Sequence, residues 1–170
     1  SQGEVLEVRA DAVISPANSC GFMDGGIDLV YSQRFGWGLQ RDLQKAICTY
    51  WDGELPVGAA LIVETRDELI PYVVSAPTMR VPLSVPDTVN AYLAFRAALL
   101  AIDRHNRGAL NKIESVLCPG LATAIGEMPA SVCAQQMRNA YDRWTQDPAW
   151  FPESIREAKE DHHQQVISSN

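Results

Sequence analysis

Basic residues are missing from two long stretches of this chain. No Lys or Arg lies between residues 15 and 33, and none lies between residues 116 and 137. Over all 170 residues, 14 Lys and Arg stand against 21 Asp and Glu, a formal net charge of −7. That balance argues against non-specific or direct nucleic-acid binding, which needs a basic surface. No apolar run approaches the roughly 20 residues of a membrane-spanning helix, so no membrane partner is expected. Cysteine is scarce. Cys20, Cys48, Cys118 and Cys133 form no CxxC pair and no zinc-like spacing. They read as reduced thiols of a cytoplasmic protein, mostly packed in its core. His105, His162 and His163 are the only histidines, and none is near Cys20 in sequence, so the nucleophile reading of that thiol is the weaker one. His162-His163 reads as part of a solvated tail rather than a metal pair. No metal and no cofactor are expected. No internal repeat, low-complexity run or secretory signal is visible. The chain opens almost directly on its first motif, as if cut at a domain edge.

A length of 170 residues with 46% hydrophobic content favours one domain with a sizeable core over residues 1–150. Residues 151–170 read as a polar C-terminal helix or tail. The most informative stretch is residues 11–28. An apolar strand, residues 12–14, runs through Pro16-Ala17-Asn18 into a glycine-containing loop, Gly21-Phe22-Met23-Asp24-Gly25-Gly26, and then into a helix at residues 26–35. Such a loop lets backbone N–H groups approach a ligand, and the helix N-terminus favours an anion. With no cation nearby, backbone and helix end must do that work. Asp11, Asn18 and Asp28 flank the loop, which suggests a nucleotide-like ligand with hydroxyls to read.

Further along, residues 5–8 read as a strand or a single turn. Residues 37–50 continue helically, with Leu39, Leu43, Ala46 and Ile47 on one face. Strands are expected at residues 59–65 and 69–76, joined by a hairpin turn at Arg66-Asp67-Glu68. A proline-marked loop covers residues 77–86. A long helix spans residues 88–106, capped by Asp87 or Thr88. A strand at residues 113–118 leads to a second glycine-containing loop, residues 119–128, and a helix at residues 129–144 with Pro129 suited to its first turn. Strands alternating with helices give an α/β class with helices on both sheet faces. Both loops follow strands, so both are expected to border one crevice at the strands' carboxyl ends.

Together these residues resemble a macrodomain, the family that binds ADP-ribose and its derivatives. Asp11-Ala12-Val13-Ile14-Ser15-Pro16-Ala17-Asn18 is similar to the family's Asp-Ala-Ile-Val-Asn-Ala-Ala-Asn. Gly25-Gly26-Ile27-Asp28 is similar to its Gly-Gly-Val-Asp. Pro119-Gly120-Leu121-Ala122-Thr123-Ala124-Ile125-Gly126 stands in place of its second phosphate loop. The likeness covers roughly residues 3–145. It implies a three-layer α/β/α sandwich with a mixed, mostly parallel sheet, and a further strand before Gly3 that this chain lacks or starts after.

Carried over residue by residue, the resemblance gives Asp11 the adenine amino group, with Ala12 beside it, and Asn18 the distal ribose. It places Asp28 where hydrolytic members orient or activate a water. Gly25, Gly26 and Ile27 would give amides to the phosphates, and Gly120, Leu121, Ala122, Thr123, Ala124, Ile125 and Gly126 would close over the diphosphate. The implied partner is ADP-ribose or an ADP-ribosylated molecule. The implied activities are binding alone, or hydrolysis of an ADP-ribosyl ester, O-acetyl-ADP-ribose or ADP-ribose 1''-phosphate through Asn18 and Asp28. A degenerate domain used for protein interaction is a third reading. A Rossmann dinucleotide site lacks its GxGxxG.

Several residues carry plainer readings as well. Asn18 could brace its own turn, Asp28 could serve the helix dipole, Asp11 could be a solvated strand-end acid, and Gly25-Gly26 could only turn the chain. Ser15-Pro16 departs from the family's Asn-Ala. Asp24 and Glu127 put acids where phosphates are expected, so each should point outward or find a cation. Trp37, Trp51, Tyr92 and Phe95 are expected in the core. Tyr31 and Phe22 are candidates for stacking on ribose or adenine, with Tyr141, Trp150 and Phe151 behind them. Arg80 is placed to reach a phosphate or to lie on the surface.

Overall fold

The computed structural model describes residues 5–167. The further strand placed before Gly3 lies outside them. A 3-10 turn at Val5–Glu7 opens the described chain. Four strands follow in the order β1 (Ala12–Ser15), β2 (Leu61–Glu64), β3 (Tyr72–Ser75) and β4 (Val116–Leu117). The helices are α1 (Gly26–Phe35), α2 (Gly38–Trp51), α3 (Asn90–Gly108), α4 (Ala130–Trp144) and α5 (Ile155–Val166). The sheet order is β2-β3-β1-β4. β1 runs parallel to β3 and β4, and β2 is antiparallel to β3. This is the mixed, mostly parallel sheet of a three-layer α/β/α sandwich.

The layers follow from the two-residue period of a strand. Ala12 and Ile14, with Tyr72 and Val74, face a core shared with α3 and α4, where Ala91, Ala94, Ala98, Val132 and Cys133 sit. Val13 and Val73 face the opposite core with Tyr31, Leu39, Leu43 and Ile47 of α1 and α2. Every residue of β1 and β3 is buried. Central strands covered on both faces need such unbroken apolar runs.

β1 runs one residue longer than expected, to Ser15, while the other three strands are shorter. Pro71 has no N–H to give, and β3 begins one residue after it. β4 keeps only two ladder residues because Glu114 and Ser115 give their N–H groups to the Asp11 carboxylate instead. α3 starts at Asn90, without a side-chain cap at Val89. The expected cap residue Thr88 only accepts the Asn90 N–H at 3.4 Å. The stronger cap comes across the core, where Gln136 of α4 accepts the Tyr92 N–H at 3.0 Å. Pro129 stands just before α4 rather than in its first turn.

Aromatic type proved a poor guide to burial. Trp37 and Trp51, expected in the core, are 49% and 39% exposed at the ends of α2. The cysteines are also less uniform than expected. Cys133 is buried, Cys20 and Cys118 are half-buried, and Cys48 is exposed. Among the described residues no helix is long and apolar enough to cross a membrane, and no three His, Cys, Asp or Glu residues could hold a metal ion.

Candidate functional site

β1 and β4 both end where a loop begins, and these two loops form the walls of one crevice of about 380 Å³. The first loop contributes Pro16, Ala17, Asn18, Phe22 and Asp24, and continues into Gly25, Gly26, Ile27 and Asp28 at the start of α1. The second contributes Pro119, Gly120, Ala122, Thr123, Ala124, Ile125 and Gly126. Thr78, Met79 and Pro82 close the remaining side. No Lys or Arg is among these lining residues.

The first loop is held rigidly at its base. The pairing of β1 with β3 carries on past the strands, with Ala76 N–H on Ser15 O and Thr78 N–H on Ala17 O, both at 3.0 Å. Met23 is fully buried. Its N–H reaches Gln40 of α2 and its carbonyl accepts the Ser32 hydroxyl. Gly21 allows that descent. Its φ is +67°, and a Cβ there would lie 2.8 Å from Ile47. Asn18 braces the outer part of the loop. Its Oδ1 accepts from the N–H groups of Cys20 and Phe22, and its Nδ2 donates to Phe22 O at 2.8 Å. The turn-bracing reading of Asn18 therefore holds in this structure. Its second amide hydrogen has no acceptor among the described residues.

The N-terminus of α1 faces the crevice uncapped. Gly25 makes no side-chain cap, and the N–H groups of Gly25, Gly26, Ile27 and Asp28 donate to no described residue. These are the orphan donors of a helix start, the kind of group that an anion's oxygens can satisfy. Asp28 lies beneath them, 6% exposed. Its Oδ1 accepts the Ser15 hydroxyl at 2.5 Å. Burial pushes its carboxyl up from 3.8 to about 6, and the Ser15 hydrogen bond opposes that rise. Ser15, which replaces the family's Asn, thus has a definite partner. The second loop is tense where the first is braced. Ala122 and Glu127 have φ of +60° and +55°, in the left-handed region that glycine prefers. Gly126 is locked by contact, since a Cβ there would lie 2.4 Å from Ala122 O.

Three of the expected contact residues lie outside the crevice lining. Asp11 precedes β1, at the amino end of a strand whose carboxyl end faces the crevice. It is absent from the lining, and its Oδ2 accepts from Glu114 N, Ser115 N and Ser115 Oγ. Burial works to raise its carboxyl, but these hydrogen bonds outweigh it and hold it below the ordinary value. Ala12 is fully buried within β1, and Leu121 is fully buried beneath the second loop. The other expected contact residues line the crevice.

Tyr31 is no stacking platform. It is buried, its hydroxyl donates to Ile14 O at 3.1 Å, and burial together with the Asp28 charge raises its phenol. Phe22, 52% exposed on the crevice rim, keeps that role open. Trp150 and Phe151 line a separate groove near α3 and α4. Arg80 is taken by Glu54 through Nε at 3.0 Å and Nη2 at 2.5 Å. Asp24 is exposed but does line the crevice, whereas Glu127 is exposed and does not. Thr78, Met79 and Pro82 were not foreseen, because their place depends on the pairing of Met79 with Asn18 of the first loop, distant in sequence.

A Macro domain family model matches residues 14–137. An uncharacterised protein of Aquifex aeolicus is 31% identical over 80% of this chain and 75% of its own length. A mutant of the Oceanobacillus iheyensis macrodomain, solved with ADPR, superposes with a TM-score of 0.68 at 16% identity, covering 82% of this chain and 73% of its own. Thermosipho africanus DarTG in complex with ADP-ribose superposes with a TM-score of 0.67 at 16% identity, covering 83% of this chain and 37% of its own.

Proposed function

The chain belongs to the Macro domain family, and on that premise we propose that its crevice binds ADP-ribose or an ADP-ribosylated molecule. The observation that carries this reading is the convergence of two loops on an uncapped helix start. The N–H groups of Gly25, Gly26, Ile27 and Asp28 have no partner there, and a diphosphate supplies the acceptors they need. The solved relatives that hold ADPR or ADP-ribose support the choice of ligand. In this reading Gly120, Ala122, Thr123, Ala124, Ile125 and Gly126 cover the diphosphate from the other side. Asn18 and Asp28 meet the distal ribose, and Phe22 offers an apolar face on the rim.

One observation favours turnover as well as binding. Asp28 is a buried carboxylate in the crevice wall with its carboxyl moved to about 6. A base is most effective near the pH at which it works. Asp28 would take a proton from a water as the water oxygen attacks the ADP-ribosyl carbon, and the bond to the leaving oxygen would break. Asn18 would hold the ribose in place for that attack.

The test pairs two readouts on Asn18→Ala and Asp28→Ala. Release of ADP-ribose from an ADP-ribosyl ester should fall at least 100-fold in Asp28→Ala while ADP-ribose affinity falls less than tenfold. Turnover in the parent protein should rise as pH passes about 6. A parent protein that binds ADP-ribose and releases none from any ester is a reader, and the hydrolytic part of the proposal fails.

A further inference from the structure

We propose that Ser75, acting through Ser15, is a positioning residue for Asp28. The two hydroxyls form a chain that ends on the carboxylate and fixes it in the crevice wall. This rests on the reading above that Asp28 meets the ligand, and it names the two residues that stand behind that contact.

The sheet puts the two serines side by side. Ser15 pairs with Ser75 in the β1–β3 register, so both side chains leave one face of the sheet, at the carboxyl ends of their strands. Two residues earlier the same face carries Val13 and Val73, which pack in the apolar core with α1 and α2. Ser15 and Ser75 are both fully buried. A position that only had to pack would be apolar there as well. Ser75 Oγ instead lies buried with no hydrogen-bond partner among the described residues, an arrangement that is costly unless the hydroxyl serves something.

Ser15 offers the acceptor that this hydroxyl lacks. Its own hydrogen goes to Asp28 Oδ1 at 2.5 Å, and its oxygen lone pairs remain to accept. Paired side chains on neighbouring strands stand about 5 Å apart at Cβ, so a turn about the Ser75 Cα–Cβ bond brings its hydroxyl to Ser15 Oγ. A hydrogen donated there polarises the Ser15 hydroxyl and strengthens its bond to the carboxylate. That hold on Oδ1 leaves Oδ2, which has no partner among the described residues, for the ligand. No other side chain takes this part. Tyr31 faces Asp28 from α1, but its hydroxyl donates to Ile14 O. Burial raises the Tyr31 phenol and pushes the neighbouring Cys118 thiol up to about 12, so both stay neutral beside Asp28. The other acid of the wall, Asp24, is exposed. Burial and the Ser15 hydrogen bond are what set the Asp28 carboxyl.

The experiment follows the Asp28 carboxyl carbon by NMR of the intact protein from pH 4 to 9, its signal assigned against Asp28→Asn. Ser15→Ala should raise the proton affinity of Asp28 about tenfold, an upward move of about one pH unit in its midpoint. Ser15→Thr keeps the hydroxyl and should stay within about twofold of the parent. Ser75→Ala should raise the affinity about threefold, and should add nothing in a Ser15→Ala background, because it acts through Ser15. A serine that only fills the core would leave the midpoint where it is. An unchanged midpoint in Ser75→Ala, or the same Ser75→Ala shift in both backgrounds, overturns the proposal. Should Ser15→Ala not fold, Ser75→Ala and Ser15→Thr decide the case. Titration of the parent with ADP-ribose tests the reading of the site separately: without binding that reading falls, and the midpoints still decide the hydroxyl chain.

Discussion

Two regions of this molecule treat buried polar groups in opposite ways. Where α4 meets α5, nearly every buried polar group is matched, the Gln165 Oε1 being the exception among the described residues. Arg143 donates to both carboxylate oxygens of Asp161 and to the Tyr92 hydroxyl, and its guanidinium lies 3.7 Å from the Trp150 ring centre. Gln136, fully buried, accepts from Tyr92 N and donates to the carbonyls of Thr88 and Gln165. In the crevice, little is matched. Four helix-start N–H groups have no acceptor among the described residues, Asp28 keeps a single hydroxyl partner, and Ala122 of the lining sits in a left-handed conformation. A segment that only has to pack satisfies its polar groups. A segment that has to receive a ligand leaves donors open and holds strain. The contrast also separates stability from binding, and substitutions can test that separation.

The largest effect should come from the matched region. Arg143→Ala leaves Asp161 half-buried without its partner and uncovers Trp150. Stability should fall by about 3 kcal/mol, or roughly 10 °C in Tm, while ADP-ribose affinity stays within about twofold. A large loss of affinity with intact folding would show that the two regions are coupled.

Asp28→Asn should act in the reverse direction. Asp28 gives up its proton near 3.8 in the unfolded chain and near 6 in the folded one. The folded state therefore holds that proton more tightly. Its contribution to stability is complete below about pH 4 and is lost as pH rises through 6. Above that, the ionised carboxylate costs the fold up to about 3 kcal/mol. Asn removes the charge and keeps a partner for Ser15. Asp28→Asn should raise stability by about 2 kcal/mol at pH 7.5 and flatten the pH dependence between 4 and 6. A variant less stable than the parent at pH 7.5 would contradict the account of the crevice as the strained region.

The smallest expected change in stability is at Gly126. A Cβ there meets Ala122 O, so Gly126→Ala must move the second loop. ADP-ribose affinity should fall about tenfold for a stability loss of about 1 kcal/mol. A stability loss without an affinity loss would mean that the second loop does not close on the ligand.

The same contrast explains what could be read from sequence. The crevice rests on short local signals. Gly25-Gly26-Ile27-Asp28 follows an apolar strand within a dozen residues, and it forms the helix start as expected. Asp11 was misplaced although the means to place it were present. It stands before β1, and a crevice at the carboxyl ends of parallel strands cannot use a residue at the amino end. Ala12 and Leu121 lie inside the motifs, yet the strand period and core packing turn them away from the ligand. The Asp28–Ser15 contact joins residues 13 apart through a helix turn that no pattern specifies. The matched region was less legible still. Gln136, Arg143 and Asp161 read as ordinary polar positions on helices. Their partners lie 18 to 48 residues away and are set by packing alone.

The account turns on whether the unmatched donors of the crevice exist to hold a diphosphate joined to two riboses. The direct measurement is calorimetric titration with ADP-ribose against AMP, ADP and NAD. A dissociation constant in the micromolar range, about −8 kcal/mol, with the three controls at least tenfold weaker, is the predicted result. Absence of binding by ADP-ribose would contradict it, and would mean that the open helix start and the strained second loop serve some other contact.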